Sequence, residues 1–192
     1  KEEGLCSARV MEGTRWLVDY NQCLKAPLAI KRILNNLLEY CIKHESRDQD
    51  FERNPWLVVN NTEVNSHNFI IGEQKQYIID WEKPVISDPV QDITQFLAPT
   101  TTLWKSPHRL TNKQIKDFYK AYALHSDDRA STLEERVNWY KPFLYLRALS
   151  WCANAWVSYQ DATRIIQNRQ TYLTIETYLT EQFLCDLLAD YI

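Results

Sequence analysis

The hydrophobic period of this chain is interrupted once. Between residues 56 and 81 the apolar residues come in short β-branched runs, and on both sides of that window they return every three or four positions. The first pattern belongs to strands and the second to amphipathic helices. A chain written this way is expected to fold as helices around one small β insert. From Pro27 to Lys43, residues Ile30, Ile33, Leu34, Leu37, Leu38, Cys41 and Ile42 share a helical face, with Pro27 near the first turn. Arg15 to Tyr20 forms a shorter helical segment, so helices are expected over about 14–43. His44 to Asn54 is polar and reads as a connection. Trp56-Leu57-Val58-Val59 then reads as a buried strand. Asn68 to Ile71 and Tyr77 to Ile79 flank Gly72-Glu73-Gln74-Lys75, a connection of hairpin length.

Beyond the window the helical period resumes. Asp88-Pro89-x-Gln91 supplies an N-cap, a first-turn proline and a reciprocal partner for a helix reaching Phe96 or Leu97. Thr111-x-x-Gln114 and Ser131-x-x-Glu134 are two further capping boxes ahead of helical spacing. Pro142 lies inside the second of these helices and is expected to kink or split it. The stretch from Pro99 to Leu110 reads as the longest loop, and Thr171 to Tyr191 as one closing helix. The expected fold is one domain over 1–192, mainly α with a small β-hairpin region (α+β). Its parts are helices over about 14–43, a loop and hairpin over about 56–82, and helices over about 88–192.

Charge and composition remove several function classes. A formal net charge of -3 and an isoelectric point near 5.8 provide no broad basic face for nucleic acid. No apolar run approaches the roughly 20 residues that span a bilayer, and the first residues lack a signal-peptide pattern. Cys6, Cys23, Cys41, Cys152 and Cys185 form no C-x-x-C pair and leave an odd one over. They read as core thiols of a cytoplasmic protein. With three glycines, at 4, 13 and 72, no glycine-rich phosphate loop can be written.

Chemistry concentrates in Val59 to Ile71 and in Tyr77-Ile78-Ile79-Asp80-Trp81-Glu82. A strand ends in a polar loop that carries Glu63 and, five residues later, Asn68; the return strand of the hairpin delivers Asp80 twelve residues after that. Carboxylate and amide oxygens suit hard Mg²⁺, and a remaining carboxylate can orient or deprotonate a hydroxyl. His67 has no His or Cys cluster beside it and reads as an exposed loop residue. Trp139, Trp151, Trp156, Tyr140, Tyr145 and Tyr159 fall at spacings that suit core packing. The alternative is a cleft that stacks on a sugar or cages a quaternary ammonium. Asp127, Asp128, Glu134 and Glu135 read as a solvated helix start.

The order Asn61-Thr62-Glu63-x-x-x-x-Asn68, Ile79-Asp80-Trp81-Glu82, Asp88-Pro89-x-x-Asp92 resembles the aminoglycoside phosphotransferases and choline kinases. That family carries H-[GN]-D-x-x-x-x-N, then I-D-[WF]-E, then D-P-x-x-D. The resemblance covers most of the chain, with its motifs in residues 56 to 97. It implies the C-terminal lobe of a kinase-like fold, with Mg²⁺ and ATP held at Asn68 and Asp80 and Glu63 at the catalytic base position. Asp92 would brace the catalytic loop, and Asn61 and Glu82 would stand behind the site. Asp88 is expected as an N-cap. Two departures stand out: Glu63 replaces the family's aspartate and is one methylene longer, and Asn61 replaces its histidine. The N-terminal lobe that covers the phosphates in such kinases is absent, because residues 1 to 25 are too few and too helical in pattern to build it. The expected activity is transfer of phosphate from ATP to a hydroxyl of a small molecule, aminoglycoside-, choline- or sugar-like, once that lobe is present. The expected partners are the acceptor and the missing lobe, without nucleic acid or membrane. A pseudokinase or regulatory nucleotide-binding module, a Mg²⁺-dependent phosphate hydrolase and a helical interaction domain remain as alternatives.

Overall fold

The structure, a computed structural model, describes residues 4–161 and 168–192. It is mainly helical with two small antiparallel sheets. The chain divides into two compact units, Lys1–Asp48 with Pro142–Ile192, and Gln49–Lys141.

The first unit holds α1 (Leu5–Gln22) and α2 (Leu28–His44), which bury Leu17, Tyr20, Ile30, Leu34 and Leu37 against each other and the surrounding helices. Helix α1 starts about ten residues before the expected segment. Its first turn is capped from a distance, since the Asp48 carboxylate accepts from the backbone N–H of Cys6 at 2.6 Å and of Ser7 at 3.0 Å. Such a cap joins positions far apart in sequence, so no local signal marks it. It also fixes Gly4, where a Cβ would come within 2.0 Å of that carboxylate. The segment from 44 to 54 is not a bare connection. It forms a short 3-10 turn (Glu45–Arg47) and α3 (Asp48–Arg53), with Phe51 buried. Burial pushes the thiols of Cys6, Cys41 and Cys152 up, the latter two to about 12, as expected of core residues. Cys23 is half-buried and Cys185 exposed, so these two are not core thiols.

In the second unit, β1 (Val58–Asn60) pairs antiparallel with β4 (Val85–Ser87), and β2 (Phe69–Ile71) pairs with β3 (Gln76–Ile78). The β1–β4 pairing was not expected. Three residues behind Pro84 are too short a run to read as a strand, and it is the partner that defines them. Register places Val58 opposite Ser87 and Asn60 opposite Val85, so the chain leaving β4 passes beside the chain entering β1. Helix α4 (Val90–Leu97) follows at once, then α5 (Pro99–Lys105), which occupies most of the expected Pro99–Leu110 loop, and α6 (Asn112–Leu124). The Thr111–Gln114 capping box forms as expected.

The other two boxes do not. Gln91 accepts from the Ser87 hydroxyl at 2.9 Å rather than returning to the Asp88 N–H. Ser131 lies inside a 3-10 turn (Asp128–Thr132), donating to the Asp128 carbonyl, and Asp127 caps that turn instead. Helix α7 (Leu133–Tyr159) then runs without a break through Pro142. Tyr140, Phe143, Leu144 and Leu146 around that proline are all buried, and their packing offsets one missing backbone hydrogen bond. The expected closing helix is two, α8 (Arg169–Tyr178) and α9 (Glu181–Leu188). Thr180 caps the second through the Phe183 N–H. The helical stretch expected over 88–192 also crosses residues 162–167, which lie outside the described residues. Among the described residues no helix is long and apolar enough to cross a membrane.

Candidate functional site

The polar loop after β1 is assembled by side chains that replace regular backbone pairing. Asn60 is 1% exposed, and its amide donates to the Ser87 carbonyl at 3.0 Å and the Ser87 hydroxyl at 2.9 Å. This stitches the end of β1 to the end of β4. Two residues into α4, the Asp92 carboxylate then accepts from the backbone N–H groups of Asn61 at 2.6 Å and Thr62 at 2.9 Å. Burial pushes the Asp92 carboxyl up, and the two N–H donors pull the other way.

Asn61 turns its side chain toward the hairpin. Its amide nitrogen donates to the carbonyls of Ile79 at 3.2 Å and Asp80 at 3.0 Å, and its amide oxygen accepts from the Glu63 N–H at 2.9 Å. Asn68, also buried, donates from its amide nitrogen to the Glu63 carbonyl at 2.7 Å and to the Asp80 carboxylate at 3.3 Å. Asn68 ends a short 3-10 turn (Ser66–Asn68) just before β2, and its carbonyl accepts from the Ile79 N–H at 2.9 Å. The loop and the strand end are therefore tied at three points. Thr62 and Asp80 have φ of 72° and 63°, the positive values among the described non-glycine residues.

The structure thus brings Asn61, Glu63, Asn68, Asp80 and Asp92 together. Glu82 stands apart at the surface, paired with Lys83 at 3.2 Å. His67 is exposed. Asp80 is exposed and Glu63 half-buried, and the Glu63 carboxylate makes no hydrogen bond or ion pair among the described residues. With its nitrogen occupied by Glu63 and Asp80, Asn68 retains its oxygen as an acceptor. Amide and carboxylate oxygens such as those of Asn68 and Asp80 are of the hard donor type that suits Mg²⁺ completed by water and phosphate oxygens. Among the described residues no group of three or more His, Cys, Asp or Glu could hold an ion by itself.

Two supporting features lay beyond the sequence reading. Arg136, from the start of α7, forms a buried ion pair with Asp88 and donates to the Asn54 carbonyl at 2.9 Å. Asp88 in turn accepts from the Val90 N–H at 3.1 Å, fixing the start of α4. A file of rings also backs the hairpin, with centroids 5.4 Å apart for Phe69–Phe96 and 5.3 Å for Phe96–Phe118. The helical spacing of α6 was visible, but the ring contacts of Phe118 with Phe96 on α4 and of Tyr122 with Trp56 ahead of β1 were not. Of the aromatics singled out from sequence, Tyr140 and Tyr145 are buried, Trp139, Trp156 and Tyr159 are half-buried, and Trp151 is exposed. No match to this chain was found among family models, curated proteins or solved structures.

Proposed function

We propose that this chain is the C-terminal lobe of a small-molecule kinase, similar in its site to the aminoglycoside phosphotransferases and choline kinases. The observation that carries the reading is the Asn68 amide, which bonds both the Glu63 carbonyl and the Asp80 carboxylate and so gathers the three groups such a reaction needs. Mg²⁺ held by Asn68 and Asp80 would neutralise charge on the ATP phosphates as the terminal group moves. Asn68 and Asp80 would hold that ion through oxygens. The Glu63 carboxylate accepts a hydrogen bond from the acceptor hydroxyl and takes its proton as the hydroxyl oxygen bonds the terminal phosphorus of ATP and the bond from that phosphorus to the bridging oxygen breaks, releasing ADP. Asp92 holds the loop backbone so that Glu63 stays aligned. Catalysis of this kind is alignment and charge neutralisation rather than covalent chemistry.

The lobe works with an N-terminal lobe that covers the nucleotide, on a small hydroxyl-bearing acceptor, in the cytoplasm; five free cysteines suit a reducing compartment. The test is ADP release by a protein carrying this chain together with its N-terminal lobe, against aminoglycosides, choline-like amines and sugars. Acceptor-dependent release that disappears in Asp80→Ala supports the kinase. Nucleotide binding without release makes the chain a pseudokinase, in keeping with the longer Glu63 side chain. Phosphate release from a phosphorylated substrate without ATP makes it a hydrolase.

A further inference from the structure

We infer that Asn61 is a positioning residue whose side-chain amide locks the Glu63 loop to the Asp80 strand end, fixing the two carboxylates relative to each other. The roles of those carboxylates rest on the functional reading above; the lock itself stands on geometry. Asn61 is 1% exposed, and both ends of its amide are engaged. The nitrogen reaches the carbonyls of Ile79 and Asp80, and the oxygen receives the N–H of Glu63. One planar group thus touches the backbone of both functional carboxylates.

The backbone at Asp80 needs such a hold. A non-glycine residue with φ of 63° sits in a sparsely populated region and persists there only when its surroundings impose it. Ile79 N–H is fixed by the Asn68 carbonyl on one side, and the Asp80 carbonyl is fixed by Asn61 on the other. Release of the Asn61 contact frees Asp80 to return to an ordinary conformation, which turns its carboxylate away from Asn68. An aspartate at 61 would keep an acceptor for the Glu63 N–H but set an oxygen against two carbonyl oxygens. It therefore separates the two halves of the lock.

The experiment is residue-resolved nuclear magnetic resonance on the 192-residue chain and its Asn61→Asp and Asn61→Ala variants. The φ-dependent HN–Hα coupling at Asp80, amide exchange at Glu63 and line broadening by added Mn²⁺ are recorded. Both variants are expected to lose the left-handed signature at Asp80 and to bind Mn²⁺ about tenfold more weakly, the usual effect of removing a group that orients a metal ligand. Glu63 exchange is expected to accelerate in Asn61→Ala and to stay slow in Asn61→Asp. Should the variants not fold, coupling across the hydrogen bond from the Asn61 amide to the Asp80 carbonyl in the unaltered chain decides the matter. Its absence, or an Asp80 that stays left-handed in a folded variant, overturns the lock. If Mn²⁺ broadens no resonance in the unaltered chain, the metal reading fails while the Asp80 coupling still decides the lock.

Discussion

Asp92 carries two opposed influences, burial that favours its neutral form and two backbone N–H donors that favour its charge. Burial wins, so the folded carboxyl holds its proton to higher pH than the unfolded one does. Between the ordinary aspartate value, about pH 4, and the raised folded value, the native state binds more protons than the unfolded state, and stability falls as pH rises. Denaturant midpoints across this range are expected to show that decline in the native sequence and to lose this component in Asp92→Asn. Thr62 is a second strained position, a β-branched residue at φ 72°. Thr62→Gly is expected to raise stability by about 1 kcal/mol, because glycine enters this region without a Cβ clash. The same change loosens the loop that carries Glu63, so the melting temperature should rise while amide exchange in that loop quickens. A melting temperature that falls instead would mean that the Thr62 hydroxyl bond to the Lys83 carbonyl outweighs the strain.

At the scale of elements, what decides the site is that β1 pairs with β4 rather than with the neighbouring hairpin. This pairing carries Asp88 and Asp92 back beside the loop they support. Arg136 closes the arrangement from α7 with a buried pair to Asp88. Removing one partner of a buried pair leaves an uncompensated charge, so Arg136→Ala is expected to cost about 3–5 kcal/mol in urea unfolding. Arg136→Met combined with Asp88→Leu should cost far less, apart from about 1 kcal/mol for the lost cap on α4. Equal losses in the single and double variants would show that the pair itself, and not its neutralisation, supports this unit. These long-range partners explain which elements could be read from sequence. Helix α2 and the β2–β3 hairpin are specified by residues within each segment and stand close to where their periodicity puts them. Strand β4, the cap on α1 and the unbroken α7 are specified by partners dozens of residues away or by packing, and the local pattern misses or misreads them.

For the molecule as a whole, the candidate residues that come together were marked in the sequence, whereas some of the residues that hold them were not. Glu63, Asn68, Asp80 and Asp92 stand out by side-chain type and fixed spacing, whereas Asn60 and Arg136 are seen only through what they hold. The same contrast governs the cysteines, whose sequence positions say nothing of exposure. A thiol reagent is expected to label exposed Cys185 rapidly in the native protein and to reach Cys6, Cys41 and Cys152 only after unfolding, since burial suppresses their thiolates. Peptide mapping of the labelled protein checks this order. The central claim is that Asn68 and Asp80 form one half-site for Mg²⁺ and nucleotide phosphates. Its most direct test is calorimetric titration of ATP in the presence and absence of Mg²⁺, using the protein that carries this chain and its Asp80→Ala and Asn68→Ala variants. We expect Mg²⁺ to tighten ATP binding in the native protein and to lose at least tenfold of that effect in each folded variant. ATP binding indifferent to Mg²⁺, or unchanged by both substitutions, would contradict the account.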